Sequence, residues 1–278
     1  MSLHTASLNS GSNGNCYYIG NEQEAVLVDV GISCRETERR MERIGLDMQL
    51  VKAIFISHEH SDHIAGVRVL SKKYSLPVYI TAETLKNSRL HLHASLVKTF
   101  VAHEPVCIGG LSVLPFPKHH DASEPHSFII TGGHTTIGVL TDIGSACEHV
   151  LNYFKQCHAV YLEANYDDKM LENGNYPFHL KKRISGDKGH LSNAQALEIF
   201  TSHRPEFMSH VFLSHLSRDN NHPELAKKLF TAHAGNTQIF VASRDCETEV
   251  FSISSADDAG FLGKMVQSVE KVSQMSLF

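Results

Sequence analysis

The apolar run Val51–Ile56 stops on Ser57-His58-Glu59-His60-Ser61-Asp62-His63, and a helix-like run, Ile64 to Tyr74, begins directly after it. No other feature constrains the chain as much. A strand, a polar loop and a helix follow one another without spare residues, which puts the loop at the end of a buried strand. His58, His60, Asp62 and His63 fall within six residues, and imidazole nitrogen and carboxylate oxygen both bind divalent transition metals. His58 and His60 share one side of an extended turn. Asp62 and His63, at the helix entry, face a second position, so the spacing predicts room for two ions side by side. A chain with 20 histidines also admits a histidine-rich loop without chemistry. Four candidate ligands directly after a buried strand favour metal.

Strand-like and helix-like runs alternate along the rest of the chain. Strands are predicted at Leu3–Leu8, Cys16–Ile19, Ala25–Val30, Val51–Ile56 and Val78–Thr81. In the second half they are predicted at Leu111–Leu114, Ser127–Thr131, Thr136–Leu140, Ala159–Leu162, Val211–Leu213 and Gln238–Val241. Helices are predicted from Ser33 to a stop at Gly45, and over Ile64–Tyr74, Thr84–Leu96, Cys147–Lys155, Ser192–His203 and Pro223–His233. Ser33 with Glu36, and Ser192 with Gln195, have capping-box spacing, and Pro223 suits a first helical turn. Two halves of this kind imply sheets whose outer faces are covered by helices. The long polar stretch Tyr166–Gly189 reads as a loop or arm over the site, and Gly260–Phe278 as a helix with a tail.

Further ligands are expected where strands end. His119-His120-Asp121 follows the strand at 111–114, stiffened by Pro115 and Pro117; spacing does not choose between the two histidines. Asp142 ends an apolar strand, and a carboxylate there can bridge two cations, one on each oxygen. His215 stands at the end of the strand at 211–213. His190, in Gly189-His190-Leu191-Ser192, precedes a well-capped helix; if the helix start faces the metals it would donate a proton to a leaving oxygen, and otherwise it would cap the helix or pack against the loop. Asp29 ends Val26-Leu27-Val28; it would orient a ligand or start a turn.

Composition narrows the function. A hydrophobic fraction of 42% and a charged fraction of 20% are those of a globular protein. No apolar run approaches the ~18 residues of a membrane span, and no signal peptide is read at the start. The six scattered cysteines form no CxxC pair, which argues against a disulfide framework or a cysteine zinc site and fits a reducing cytoplasm. A net charge of −5 gives no general attraction to nucleic acid. A polyanion would need local positive charge, for which Lys181-Lys182-Arg183, Lys188, Lys118, Arg218 and the metals are the candidates.

Asp29, the His58–His63 cluster with Gly66, His120, Asp142 and His215, in this order, resemble the metallo-β-lactamase superfamily. The resemblance implies an α/β fold, the αββα four-layer sandwich of two mixed β-sheets flanked by helices, as one domain over residues 1–260, with 261–278 as a C-terminal helix or tail. It implies one divalent ion on His58, His60 and His120 and another on Asp62, His63 and His215, with Asp142 between them; zinc, manganese and iron all suit such ligands. Ser10-Gly11-Ser12-Asn13-Gly14-Asn15-Cys16, His120-Asp121-Ala122-Ser123-Glu124-Pro125, Gly189-His190-Leu191-Ser192 and Leu213-Ser214-His215-Leu216-Ser217-Arg218-Asp219-Asn220-Asn221 are similar to the YycJ/WalJ group. That group implies a cytoplasmic 5′→3′ exonuclease acting on duplex DNA, with a role in mismatch repair. Gly-His-Leu-Ser and His-Leu-Ser-Arg also resemble ribonuclease Z, where the first histidine serves proton transfer. The chain is too short for the inserted domain of β-CASP ribonucleases and lacks a Gly-Pro-rich arm, which favours DNA over RNA.

The expected chemistry is phosphodiester hydrolysis by a hydroxide shared between two cations, with His190, Asp62 and Asp142 as the catalytic side chains. Ser217, Arg218 and Asn220, just after His215, would grip a neighbouring phosphate. Three other readings compete. A thioester or lactone hydrolase would use the same seven ligands with a compact acyl pocket. An oxidoreductase of the persulfide-dioxygenase type would hold a single iron; the flavodiiron variant carries glutamate where His60 stands. A non-catalytic relative would have lost ligands, and none is missing here.

Overall fold

The computed structural model describes residues 2–255; the predicted helix and tail at 260–278 lie outside the described residues. The first half runs β1 (Leu3–Asn9), β2 (Cys16–Gly20), β3 (Ala25–Val28), α1 (Cys34–Arg43), β4 (Val51–Phe55), α2 (Ser61–Ile64), α3 (Val67–Tyr74), β5 (Val78–Tyr79), α4 (Ala82–Ser88) and β6 (Val97–Lys98). The second half runs β7 (Val106–Ile108), β8 (Leu111–Pro117), β9 (His126–Gly132), β10 (Thr135–Leu140), α5 (Glu148–Phe154), β11 (Ala159–Glu163), α6 (Asp168–Asn173) and α7 (Phe178–Ile184). It closes with α8 (Asn193–His203), β12 (His210–Ser214), α9 (Pro223–Thr231), β13 (Gln238–Val241) and β14 (Phe251–Ile253).

The strands form two seven-stranded sheets, in the orders β14-β1-β2-β3-β4-β5-β6 and β13-β12-β11-β10-β9-β8-β7, so that β14 crosses back from the second half to the edge of the first sheet. Both sheets are mixed. β1, β2 and β3 pair antiparallel and β3, β4, β5 and β6 parallel. β8, β9 and β10 pair antiparallel and β10 to β13 parallel. Strand alternation sorts the side chains into three buried clusters. Tyr17, Ile19, Val26, Val28, Phe55, Phe128, Ile130, Tyr161 and Phe212 meet between the sheets. Their chain neighbours Cys16, Tyr18, Leu27 and Ile54 face outwards, onto Met41, Val67 and Leu70. Val160, Leu162 and Val211 pack outwards on Val150, Ala196, Phe200 and Phe230 of the other helical layer. Four layers, helix–sheet–sheet–helix, result, and strands buried on both faces read as continuous apolar runs for that reason.

The predicted strands and most helices are present, with informative differences. The Ile64–Tyr74 run starts earlier, as a single turn at Ser61, and breaks at Gly66 into α2 and α3. The predicted helix at 84–96 ends at Ser88, because Arg89 adopts a left-handed conformation (φ 54). The arm 166–189 carries two short helices, α6 and α7. Ser192 and Gln195 form the full capping box. At α1 only Ser33 caps, since the Glu36 carboxylate is taken by Arg39 and Arg40. No described helix is long and apolar enough to cross a membrane.

Candidate metal centre

Parallel strands release their C-terminal ends at one edge of each sheet, and the two edges face each other. The β4–α2 loop brings His58, His60, Asp62 and His63 from one sheet. The ends of β8, β10, β11 and β12 bring His120, Asp142, Glu163 and His215 from the other. Asp29 and His215 directly follow β3 and β12, Asp142 comes two residues after β10, and Asp29, Asp142 and His215 sit at positive φ (58°, 54° and 55°). The left-handed region costs a non-glycine residue about 1–3 kcal/mol. Here it turns the strand's next side chain sharply into the gap.

His58 Nε2 lies 3.0 Å from His60 Nδ1, and His120 Nε2 lies 3.4 Å from the same atom. His63 Nε2 is 3.5 Å from Asp62 Oδ2 and 3.3 Å from Asp142 Oδ2; His215 Nε2 is 3.5 Å from Asp62 Oδ2 and from Asp142 Oδ1. Ligand atoms of His58, His60 and His120 form one set within 4.8 Å of one another, and those of Asp62, His63 and His215 a second; Asp142 joins His58 and His63 in a third. Asp142 Oδ2 and His215 Nε2 are shielded from solvent and have no hydrogen-bond partner. Native interiors rarely leave such atoms unmet. Lone pairs converging at these distances are what cations would satisfy, so the residues present fit a pair of metal ions.

The far sides of four of the rings are pinned. His63 Nδ1 lies 2.7 Å from Asp29 Oδ2, and that carboxylate also accepts from the Ser57 amide and hydroxyl at 2.8 and 2.7 Å. His58 Nδ1 meets the Ser57 hydroxyl at 2.9 Å. His120 Nδ1 faces the Gly189 carbonyl at 2.9 Å, and His215 Nδ1 faces Glu163 Oε1 at 3.0 Å. Such partners fix the tautomer and direct the free nitrogen inwards. Asp29, which spacing left undecided, lies against the His63 imidazole. Of the histidine pair it is His120 that reaches the cluster, while exposed His119 bonds the Ser145 hydroxyl at 2.8 Å.

Electrostatics divide the cluster. Burial, with the charges of His63 and Lys118, pushes His58 well below its usual range; burial first, then Lys118 and His190, brings His120 to about 4. Burial acts the same way on His215, but Asp142, Asp62 and Glu163 outweigh it and hold His215 up at about 10. Asp142 stays ionised against its burial because of His215, His63 and Lys118. Glu163 is lowered to about 2, against its burial, by His190 and His215. Lys118, a candidate for surface positive charge, is instead buried, with Nζ donating to the Thr141 carbonyl at 2.6 Å. Burial lowers the pKa of this ammonium group, which lies under the Asp142 turn.

His190 reaches the site. Its Nδ1 lies 2.8 Å from Glu163 Oε1 and 3.9 Å from Asp142 Oδ1, and its side chain keeps 20% exposure. Ser217 is half-buried and Arg218 exposed. Asp219 accepts from the Tyr176 hydroxyl at 2.8 Å. Asn220 is 1% exposed; its backbone carbonyl accepts from Asp167 N, its amide nitrogen lies 3.5 Å from Ser217 Oγ, and its side-chain oxygen has no hydrogen-bond partner. Sequence reasoning missed Glu163, Asn15 and Ser57. Asn15 Nδ2 lies 3.1 Å from His63 Nε2 and 3.2 Å from Asp62 Oδ2.

The cluster depends on close backbone contact. Asn15 N donates to Asp62 O at 2.7 Å, Gly31 N to Asn15 O at 2.8 Å and Val30 N to His63 O at 2.9 Å. A methyl group on Gly31 would fall 1.7 Å from the Asp62 carbonyl oxygen. Gly31→Ala is expected to push Asp62 out of place. Overpacking of this kind costs about 1–3 kcal/mol, a fall of roughly 2–12 °C in Tm for a domain of this size. Thermal melts with metal analysis check it; an unchanged Tm and metal content would refute the account.

A family profile described as "Beta-lactamase superfamily domain" matches residues 24–215. The chain is 36% identical over 231 residues to exodeoxyribonuclease YycJ of Bacillus anthracis, covering 82% of this chain and 87% of that one. It is 32% identical over 224 residues to exodeoxyribonuclease WalJ of Streptococcus pneumoniae, covering 79% and 83%. Among solved structures, the metallo-β-lactamase fold protein YhfI from Bacillus subtilis superposes with a TM-score of 0.68 at 16% identity, over 91% of this chain and 100% of the other. With its two facing mixed sheets and the histidine–aspartate cluster at their common edge, the chain belongs to the metallo-β-lactamase superfamily.

Proposed function

We propose that the protein is a metal-dependent nuclease, a cytoplasmic 5′→3′ exonuclease on double-stranded DNA that serves DNA repair. One observation carries the hydrolytic reading: seven side chains from distant positions converge, and buried Asp142 Oδ2 and His215 Nε2 lack any hydrogen-bond partner. His58, His60 and His120 would hold one divalent cation, zinc or manganese, and Asp62, His63 and His215 a second, with Asp142 between. When bound, such ions supply a water acidic enough to ionise near neutral pH and positive charge for the phosphoryl oxygens. That two relatives at about one-third identity are exodeoxyribonucleases supports DNA as the substrate.

The chain's own groups do the rest. Asp29, Ser57 and Glu163 keep the imidazoles in register. His190, with Nδ1 held by Glu163, keeps Nε2 for the departing sugar oxygen, which needs a proton as its bond to phosphorus breaks. His190→Ala is expected to retain both metal equivalents and to slow DNA cleavage by about 10²–10⁴-fold. A diester with a 4-nitrophenolate leaving group, which needs no proton, should be little affected. An unchanged rate on DNA would refute the role.

The reading as a whole is tested by metal analysis with end-labelled duplex DNA, single-stranded DNA and RNA, comparing wild type with His60→Ala. Cleavage of duplex DNA from the 5′ end by wild type alone is the expected result. Equal activity in both would expose a contaminating nuclease. Turnover of thioesters without DNA cleavage would favour a small-molecule hydrolase.

A further inference from the structure

A cleft of about 520 Å³ opens one residue beyond His215. Its walls include Ser10, Leu216 and Ser217, next to the His215 ligand, together with Arg218, Lys227 and Arg244. Ser10 belongs to both places, since its hydroxyl accepts the His215 amide at 2.8 Å. The size is that of cavities that enclose a small ligand. Its charge is unusual for this acidic chain. Arg218, Lys227 and Arg244 form no ion pair among the described residues, although Glu224 and Asp245 also line the cleft. Arg244 is held by its backbone, whose carbonyl accepts from Asn13 Nδ2 at 2.8 Å, and its Nη1 is shielded without a hydrogen-bond partner. The positive end of the α9 dipole adds to the same field, because Pro223 and the N-cap His222 form part of the wall.

Free guanidinium and ammonium groups beside a site for phosphodiester cleavage fit a phosphate-bearing chain, because arginine grips phosphate with paired donors and lysine acts as a point charge. We propose that this cleft is a backbone subsite that holds the sugar–phosphate chain of the nucleic acid next to the cleaved linkage, with Lys227 and Arg244 neutralising phosphates there. The proposal rests on the nuclease reading above and adds the surface that recognises the substrate as a polymer.

Lys227→Ala/Arg244→Ala tests it, since neither residue touches the metal cluster. Anisotropy of a labelled DNA duplex, measured in chelator so that no turnover occurs, gives Kd as a function of salt. Each phosphate contact contributes ~0.9 to the slope of log K against log salt, so the double variant should lose about 1.8 and bind roughly 10–100-fold more weakly at 0.1 M salt. Hydrolysis of bis(4-nitrophenyl) phosphate by the metal-loaded variant should match wild type, with Tm unchanged. A duplex Kd and salt slope equal to wild type would overturn the subsite while leaving the nuclease reading intact. Wild type that hydrolyses the small diester but neither binds nor cleaves DNA would overturn both. A variant that loses the small-diester activity as well would place these residues in the metal centre and overturn the assignment too.

Discussion

Asp142→Ala should lose metal and reduce nuclease turnover by about 10³-fold or more, the factor that ~4 kcal/mol of lost transition-state stabilisation gives. The side chain is 1% exposed and lies within 3.9 Å of four imidazoles, those of His63, His120, His190 and His215. Among the described residues it is the carboxylate that groups with a histidine of each ligand set, His58 and His63. Without it, a second cation would meet the first with nothing to divide the charge, so occupancy should fall to one equivalent or none. Asp142→Asn separates charge from shape, because asparagine tolerates the left-handed backbone at this position (φ 54). It should fold like wild type and still bind metal poorly. Metal analysis and duplex DNA turnover on both variants decide the matter; two equivalents retained in Asp142→Ala would remove the aspartate from its assigned place.

Glu163→Ala is the second large effect. Glu163 is fully buried at the end of β11 and its carboxylate meets four nitrogens: Ile143 N at 2.7 Å, Leu191 N at 3.2 Å, His190 Nδ1 at 2.8 Å and His215 Nδ1 at 3.0 Å. One side chain thus ties the Asp142 turn, the start of the α8 segment and the β12 end together. Truncation leaves buried donors unmet, and breaking a buried ionic group of this kind costs about 3–5 kcal/mol. For a domain of this size that is roughly 6–20 °C in Tm. Loss of a ligand's supporting partner should also weaken metal binding by about 10–100-fold. Calorimetry of the apo protein reads the first effect and competition with a chelator the second. If Tm and metal affinity both matched wild type, Glu163 would be a bystander. If Tm alone fell, its part would be structural only.

Much of this site was legible because parallel strands advertise their ends. A continuous apolar run that stops on a polar residue marks both a buried strand and the edge where ligands gather, which is how Asp142 and His215 could be placed. The same rule marks Glu163 after Ala159–Leu162, yet glutamate at a strand end carries no spacing motif of its own, and it was passed over. His119 and His120 were equivalent on spacing. The family resemblance prefers His120, and the course of the chain after β8 gives the physical reason, since Lys118 turns inwards and His119 lies at the surface. The arm helices were opaque for another reason: α7 has no buried residue at all, so no apolar face repeats every three or four positions. β6 and β14 are two and three residues long, and β14 is fixed by pairing with β1, some 250 positions away, a contact that no local pattern records.

The two sheets supply different parts of the ligand set, so ions seated at their common edge would clasp one half of the molecule to the other. Only the folded chain offers that grip. A hundredfold excess of ion over its Kd would then add about 2.7 kcal/mol to folding. Starvation for the ion would leave a slacker molecule with more frequent openings for cellular proteases, and the steady-state amount of the protein would track the metal supply before any change in its synthesis.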